Sequence, residues 1–177
     1  RLIDLNVDSL KDKDILWADL VFISAMSIQL DSVKDLIKRC KSKDRRIVAG
    51  GPLFTEEADH FPEVDHLVLN EAELTLPGFL NDLHHGKPER RYGTKEFPDI
   101  RQSVLPSYQL LNRKKYAVMS LQLSRGCPFN CEFCDIIELY GRRPRLKKPQ
   151  QVVAEMEALY QLGYTGQLDV VDDNFIG

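Results

Sequence analysis

The strongest constraint on the fold is the alternation of short apolar runs with segments of helical periodicity. The run DLVFISA (19–25) is mostly apolar, as expected for a parallel strand that is covered on both faces. Residues 31–41 then carry apolar side chains at helical spacing, and 46–51 and 66–70 form two further apolar runs. A second helical pattern covers 75–86. Because parallel strands need crossover helices, this order predicts a Rossmann-like open parallel α/β sheet.

The first predicted domain covers residues 1–86. LIDLNV (2–7) alternates between apolar and polar residues, which predicts a strand at its start. The chain begins directly in this pattern, so we expect the domain's own first strand to be missing and the chain to be a fragment. Residues 87–115 contain three prolines and no sustained period, which predicts a linker.

The second predicted domain covers residues 116–177. A strand is predicted at 116–124, a helix at 150–162 with Pro149 at its start, and another strand at 166–173. The predicted helix carries Val152, Val153, Met156, Leu159 and Tyr160 on one face. Strand, loop, helix and strand in this order predict the first, truncated part of a β/α barrel.

Composition excludes several classes of protein. The formal charge of −3 over 177 residues gives no reason to expect nucleic acid as the main partner. No apolar run reaches the roughly 18 residues of a membrane span. Three of the four cysteines fall within eight residues, unlike a secreted disulfide framework. We therefore expect a reducing, cytoplasmic location.

The segment SRGCPFNCEFCD (124–135) is the clearest candidate site. It places Cys127, Cys131 and Cys134 at C-x3-C-x2-C spacing on one loop. Three hypotheses remain open. The first is an iron–sulfur cubane in which one iron lacks a protein ligand. The second is a structural zinc ion, and the third is three thiols that bind no metal. All four histidines lie before residue 86, and Cys40 lies on the core face of a predicted helix, so no fourth ligand is evident.

The cysteine loop resembles the motif of the radical S-adenosylmethionine (SAM) superfamily, with Phe133 in its aromatic position. Longer blocks resemble its cobalamin-binding branch, which includes hopanoid C-2 methylase-like proteins. These blocks are ISAMSIQ (23–29), VAGGPLFT (48–55), LNEAELTLP (69–77), SRGCPFNCEFCDIIELYGRRPR (124–145) and VVDDNFIG (170–177).

The resemblance implies three cofactors and a radical reaction. The three cysteines would hold a [4Fe–4S] cluster, and SAM would chelate the open iron. The reduced cluster would cleave SAM homolytically, and the resulting 5′-deoxyadenosyl radical would abstract hydrogen from a substrate carbon. Phe133 would lie near the adenine. Asp172, Asp173 and Asn174 would contact SAM, because they follow a barrel strand where related enzymes have a Gly-Gly-Glu type segment.

Cobalamin is the third implied cofactor. Ligands of open α/β sheets bind beyond the carboxyl ends of the strands. The candidate residues at three such ends are Ser24, Met26, Ser27, Gly50, Gly51, Glu71 and Glu73. The D-x-H-x-x-G motif that supplies a lower cobalt ligand in many cobalamin domains is absent.

The basic loop GRRPRLKKP (141–149) allows two interpretations. In the first, its five basic residues belong to an ordinary solvated loop. In the second, they recognise an anion, such as the SAM carboxylate, an anionic substrate or an electron donor. Nucleic acid is disfavoured, because no wider basic surface with aromatic residues accompanies the loop.

The resemblance thus implies that the full-length parent is a radical SAM enzyme that transfers a methyl group from methylcobalamin to an unactivated carbon. A radical rearrangement or cyclisation without methyl transfer is the alternative within enzymes. A non-catalytic zinc- or corrinoid-binding module is the alternative outside them. The expected partners are a reducing electron donor and a small-molecule substrate, for which a lipid-like compound is one candidate by analogy. The 177-residue chain alone is expected to be inactive.

Overall fold

The computed structural model describes residues 1–175 and divides them into two compact units. One unit is Leu10–Pro98, and the other combines Arg1–Ser9 with Asp99–Gly177. Ile176 and Gly177, the end of the block VVDDNFIG, lie outside the described residues. In the described part of the chain, no helix is long and apolar enough to cross a membrane.

The Leu10–Pro98 unit is built on a four-stranded parallel sheet in the order β1-β2-β3-β4. The strands are β1 (Leu20–Ser24), β2 (Arg46–Gly50), β3 (His66–Val68) and β4 (Arg91–Tyr92). The helices are α1 (Asp12–Trp17), α2 (Leu30–Lys41), α3 (Pro52–Glu57) and α4 (Ala72–His84). Each sheet strand after β1 is reached through at least one helix, as the parallel arrangement requires.

Both faces of this sheet are covered. On one face, Ile47 and Leu67 pack with residues of α1, α2 and α3, including Cys40, which is fully buried as its helix position predicts. Burial raises the pKa of the Cys40 thiol. On the other face, Val48 and Val68 pack against Phe79 of α4. Two apolar layers therefore enclose the central strands.

The predicted strand at 2–7 was wrong. The Asp4 carboxylate accepts hydrogen bonds from the backbone and side-chain nitrogens of Asn6, each at 2.9 Å. The Asp4 carbonyl accepts from the backbone nitrogens of Val7 and Asp8. These contacts fold the segment into a turn, because an aspartate side chain offers the backbone an alternative to a strand ladder. The segment also belongs to the other unit.

The boundaries of the predicted linker 87–115 also differ from the structure. Residues up to Pro98 belong to the sheet unit, where β4 pairs with β3. The Leu67 nitrogen donates to the Arg90 carbonyl at 2.7 Å, and the Leu69 nitrogen donates to the Tyr92 carbonyl at 2.8 Å. Because β4 has only two residues, its sequence shows no detectable alternation of apolar and polar side chains, and it therefore resembles a linker.

The second unit contains a strand–helix–strand crossover and a small ribbon. Parallel strands β5 (Val118–Leu121) and β8 (Gln167–Val170) are joined through β6 (Ser124–Arg125), α5 (Ile136–Tyr140), β7 (Arg145–Leu146) and α6 (Pro149–Gln161). Strands β6 and β7 pair antiparallel. The core consists of Tyr108, Met119, Leu121, Leu159 and Tyr164.

The buried face of α6 is rotated from the predicted one. Leu159 is buried as expected, but Val153, Met156 and Tyr160 are exposed. Glu155 takes an inward position instead. It can do so because Lys147 forms an ion pair with it, and a buried charge needs such a partner.

Candidate functional site

The cysteine loop leaves β6 and runs to α5. Its base is closed by the β6–β7 ribbon, where Arg125 pairs with Arg145. The Cys127 nitrogen donates to the Gly141 carbonyl at 3.1 Å, and the Cys134 nitrogen donates to the Cys131 carbonyl at 3.2 Å. All three thiols are free, with Cys131 exposed and the other two partly buried. The loop therefore presents its thiols at the surface of the second unit.

Gly126 allows the loop to begin where it does. Its φ is +93°, in the region that favours glycine. A Cβ at this position would lie 2.7 Å from the Arg143 carbonyl oxygen and 3.0 Å from those of Gly141 and Tyr140. The glycine before Cys127 is thus required by the close approach of the α5–β7 connection.

The three thiols share a loop but are not gathered around one centre. Within residues 1–175, no group of three or more His, Cys, Asp or Glu side chains is arranged to hold a metal ion. Phe133, in the aromatic position of the motif, is 90% exposed and has room to contact a ligand.

Asp172 and Asp173, which follow β8, bind the start of the cysteine loop. The Asp172 carboxylate accepts from the Leu123 nitrogen at 2.6 Å and from the Ser124 hydroxyl at 2.8 Å. Asp173 accepts from the Gly126 nitrogen at 3.1 Å. Burial raises the pKa of Asp173, and the bond from Gly126 opposes that rise. The structure thus brings both carboxylates to the loop.

Asn174 differs from its two neighbours. Its side-chain nitrogen Nδ2 is buried and, within the described residues, has no hydrogen-bond partner. A buried donor without an acceptor is costly and uncommon in native proteins. An acceptor atom of a bound ligand would satisfy it.

The basic loop is largely bound to its own unit. Arg142 donates to the Asn130 side chain at 2.6 Å, and Arg145 donates to the Tyr140 carbonyl at 3.0 Å. Lys147 pairs with Glu155 at 2.6 Å, with side-chain exposures of 8% and 5%. Three of the predicted loop's charges therefore stabilise the chain itself, while Arg143 and Lys148 lie exposed.

At the carboxyl edge of the four-stranded sheet, the structure brings the predicted serine and glycines together. Ser24 pairs with Gly50 across β1 and β2. A Cβ on Gly50 would lie 2.5 Å from the Val68 carbonyl oxygen, and one on Gly51, whose φ is +88°, would lie 2.8 Å from Ser24 Oγ. The space left by both missing side chains is used by the protein's own chain.

The other predicted residues of this edge are more dispersed. Met26 is 60% exposed, and the Ser27 hydroxyl donates to the Glu56 carboxylate at 3.2 Å. Glu71 is buried at the start of α4, whereas Glu73 is partly exposed. The edge therefore offers hydroxyl, carboxylate and exposed apolar groups.

Comparison with known proteins identifies relatives over the whole chain. A methyltransferase of uncharacterized function from Synechocystis is 42% identical over 100% of this chain and 33% of its own length. Hopanoid C-2 methylase from Rhodopseudomonas palustris is 37% identical over 100% of this chain and 34% of its own length. The chain is a homologue of hopanoid C-2 methylase. The predicted resemblance to hopanoid C-2 methylase-like proteins is thereby confirmed, although no protein-family profile matches the chain.

A solved structure supports the fold. The radical SAM methyltransferase TsrM from Kitasatospora setae matches with a TM-score of 0.70 and 17% identity, over 91% of this chain and 38% of TsrM. At this identity the likeness concerns the fold, and it confirms the predicted α/β class. The chain spans about a third of the length of the curated relatives it matches.

The four histidines of the chain lie away from the carboxyl edge of the sheet. His66 begins β3, and its Nδ1 lies 2.7 Å from the Glu89 carbonyl oxygen. His60 precedes β3, and His84 and His85 are exposed at the end of α4, so all four lie towards the amino ends of the strands. A surface cavity of about 660 Å³, lined partly by His66 and Arg90, also lies at the amino edge. Neither feature adds a residue to the candidate cobalamin edge.

Two residues at these sites have structural roles that the sequence did not assign to them. The Ser124 hydroxyl donates to Asp172, but a single serine at the end of a strand carries no recognisable signal. Asn70 has a φ of +61°, its side-chain oxygen accepts from the Thr94 nitrogen, and its backbone nitrogen donates to the Thr55 hydroxyl oxygen. Asparagine tolerates this conformation better than most residues, which is the one signal that identifies it.

Proposed function

We propose that this chain supplies the cobalamin-binding and cluster-binding parts of a radical SAM methyltransferase that acts on an unactivated carbon. The observation that carries the proposal is the loop of three free cysteines at C-x3-C-x2-C spacing beside a strand end with polar side chains. The names of the relatives support it, since both hopanoid C-2 methylase and TsrM are methylating enzymes.

The donor set of the loop suits a [4Fe–4S] cluster. Three thiols from one loop are the preferred ligand type for iron–sulfur clusters, and no histidine accompanies them. Cys127, Cys131 and Cys134 would be the ligands, leaving one iron for SAM. When bound, the cluster and SAM supply one-electron cleavage of a carbon–sulfur bond. TsrM has been solved with a cluster and cobalamin and, separately, with a SAM analogue.

The chain's own residues would bind and shield SAM. The unpaired Asn174 Nδ2 would donate to an acceptor atom of SAM, which would satisfy a buried donor. Phe133 would cover part of the ligand with its exposed ring and exclude water. Arg143, an exposed member of the basic loop, is available for a carboxylate.

The carboxyl edge of the four-stranded sheet would bind cobalamin. Met26 and Ile28 expose apolar surface there, at 60% and 92%, which a large ligand would cover. Ser24 supplies a hydroxyl and Glu73 a partly exposed carboxylate. With the four histidines towards the other edge, cobalamin would bind without a histidine ligand from this chain.

The first experiment is metal and sulfide analysis after anaerobic reconstitution of this chain. We expect about four irons and four sulfides per chain, because that is the composition of the cubane. The variant Cys131→Ala should lose them, and Cys40→Ala, which changes a buried cysteine of the other unit, should retain them. About one zinc without sulfide would contradict the proposal and favour a zinc-binding module.

A second experiment tests the reaction in the full-length protein. Transfer of a labelled methyl group from SAM into product is expected if the protein is a methyltransferase. Product without the label would instead indicate rearrangement or cyclisation. A lipid-like small molecule as substrate, a reducing electron donor and a cytoplasmic location complete the proposal.

A further inference from the structure

We propose that Asp172 is a positioning residue that fixes the start of the cysteine loop, and that it does not bind SAM. The inference rests on the proposed function in one respect, since it takes the loop to be the cluster-binding loop. It replaces the sequence-based expectation that Asp172 contacts SAM.

The first argument is the use of both carboxylate oxygens. One oxygen of Asp172 accepts from the Leu123 nitrogen at 2.6 Å, and the other accepts from the Ser124 hydroxyl at 2.8 Å. Charged acceptors form short, strong hydrogen bonds of this kind. Each carboxylate oxygen thus already accepts a hydrogen bond from the protein's own chain, whereas Asn174, two residues later, keeps an unpaired donor.

The second argument is where these bonds fall along the chain. The pairing of β5 with β8 ends at Leu121, whose carbonyl also accepts from the Val171 nitrogen at 2.9 Å. Beyond the last paired residues, the Asp172 side chain links the two segments through its hydrogen bonds with Leu123 and Ser124. The Leu123 carbonyl accepts from the Lys147 nitrogen at 2.8 Å, so Leu123 is held from β8 on one side and from the end of β7 on the other.

The third argument is burial. Ser124 is 4% exposed and Asp172 is partly buried. Without the carboxylate, the Leu123 nitrogen and the Ser124 hydroxyl would lose their acceptor in a place with little access to water, which favours local opening. Cys127 follows only three residues after Ser124, so opening there would displace this thiol directly.

The test measures hydrogen exchange of the backbone amides 123–126 in the metal-free chain. Asp172→Ala should speed exchange at Leu123 about tenfold, as expected for loss of a charged acceptor. The matched control is Asp169→Ala, which removes an exposed carboxylate of β8 that bonds Gln167, and it should leave exchange at Leu123 unchanged. Unchanged exchange in Asp172→Ala would overturn the proposal.

A conservative variant covers the case in which Asp172→Ala does not fold. Asp172→Asn keeps one neutral acceptor for the Leu123 nitrogen but loses the charge. It should speed exchange roughly threefold, because neutral acceptors bond about half as strongly as charged ones. No increase in this variant would contradict the anchoring role.

The reconstituted chain separates anchoring from SAM binding. Asp172→Ala should release iron to a chelator several-fold faster than the unmodified chain, with or without SAM. Normal iron release and normal amide exchange, together with loss of the SAM-induced change in the cluster's electron paramagnetic resonance spectrum, would identify Asp172 as a SAM ligand and overturn the proposal. If the unmodified chain binds no cluster, the proposed function fails, while the exchange result on the metal-free chain still decides the anchoring role.

Discussion

The two units use the same order of strand, helix and strand but stabilise it differently. In Leu10–Pro98, all three residues of β3 are buried, and Ile47, Val48 and Ala49 of β2 are almost inaccessible. In the other unit, no residue of β8 is buried, and its last residue Val170 is 45% exposed. The sheet of the first unit is held by apolar packing on both faces. The cysteine loop of the second depends on polar contacts from Asp172, Asp173 and the basic loop.

The largest effect that tests this comparison is expected from truncating a phenylalanine in each unit. Phe54 is 0% exposed in the first unit and Phe133 is 90% exposed in the second. Phe54→Ala should lower the free energy of unfolding by about 4 kcal/mol, because it leaves a cavity in a close-packed core. Phe133→Ala should change it by less than about 0.5 kcal/mol. Urea unfolding followed by circular dichroism measures both, and equal effects would contradict the difference in packing.

A smaller effect is expected at two glycines within the second unit. Gly126→Ala should destabilise the unit by about 3 kcal/mol, since it combines an unfavourable φ with a clash against backbone carbonyls. Gly163 also has a positive φ, +82°, but nothing lies within 4 Å of its Cβ position. Gly163→Ala should therefore cost only about 1 kcal/mol. Thermal unfolding of the two variants separates the steric clash at Gly126 from the strain of a positive φ, which both positions share. Equal losses in the free energy of unfolding would refute the close approach of the carbonyl oxygens to Gly126.

The smallest effect concerns pH and the N-terminal segment of the second unit. Burial, together with the hydrogen bond to Asp4, raises the pKa of Tyr116 to about 12. The unfolded chain has a tyrosine pKa of roughly 10. The folded state thus favours the neutral phenol, and the resulting stability is present below pH about 10 and lost as the pH rises to about 12.

Removal of Asp4 should weaken this dependence. Asp4→Ala should lower the pKa of Tyr116 only part of the way to 10, because burial remains. Absorbance titration of tyrosinate measures the pKa, and Tyr116→Phe identifies which of the six tyrosines is responsible. An unchanged pKa in Asp4→Ala would mean that the hydrogen bond does not hold residues 1–9 to this unit.

Much of the fold could be predicted because its signals are local. The apolar runs at 19–25 and 46–51 became β1 and β2, and the helical patterns at 31–41 and 150–162 became α2 and α6. The failures fall where a long-range or side-chain contact overrides the local pattern. Asp4 turned an alternating segment away from a strand, and backbone pairing with β3 recruited β4 from the predicted linker.

The candidate site likewise has features that the sequence predicts and residue roles that only the structure shows. The cysteines and their spacing were readable, since the whole C-x3-C-x2-C pattern lies within eight residues. The positions of the basic residues were readable too, but their roles were not. Lys147 has the same sequence signal as exposed Lys148, and only its contact with Glu155 eight residues later makes it a buried ion pair.

The sequence by itself determined the alternation of strands and helices, the cysteine loop and the relationship to hopanoid C-2 methylase, because each depends on residue types at short, fixed spacing. Tertiary structure decided that residues 1–9 join the second unit and that α6 turns Glu155 inward. It also decided that Asp172 binds Leu123 and Ser124, 49 and 48 residues earlier in the chain. Such pairs form only when folding brings distant segments together, and a carboxylate's hydrogen-bond donors cannot be identified until those segments meet.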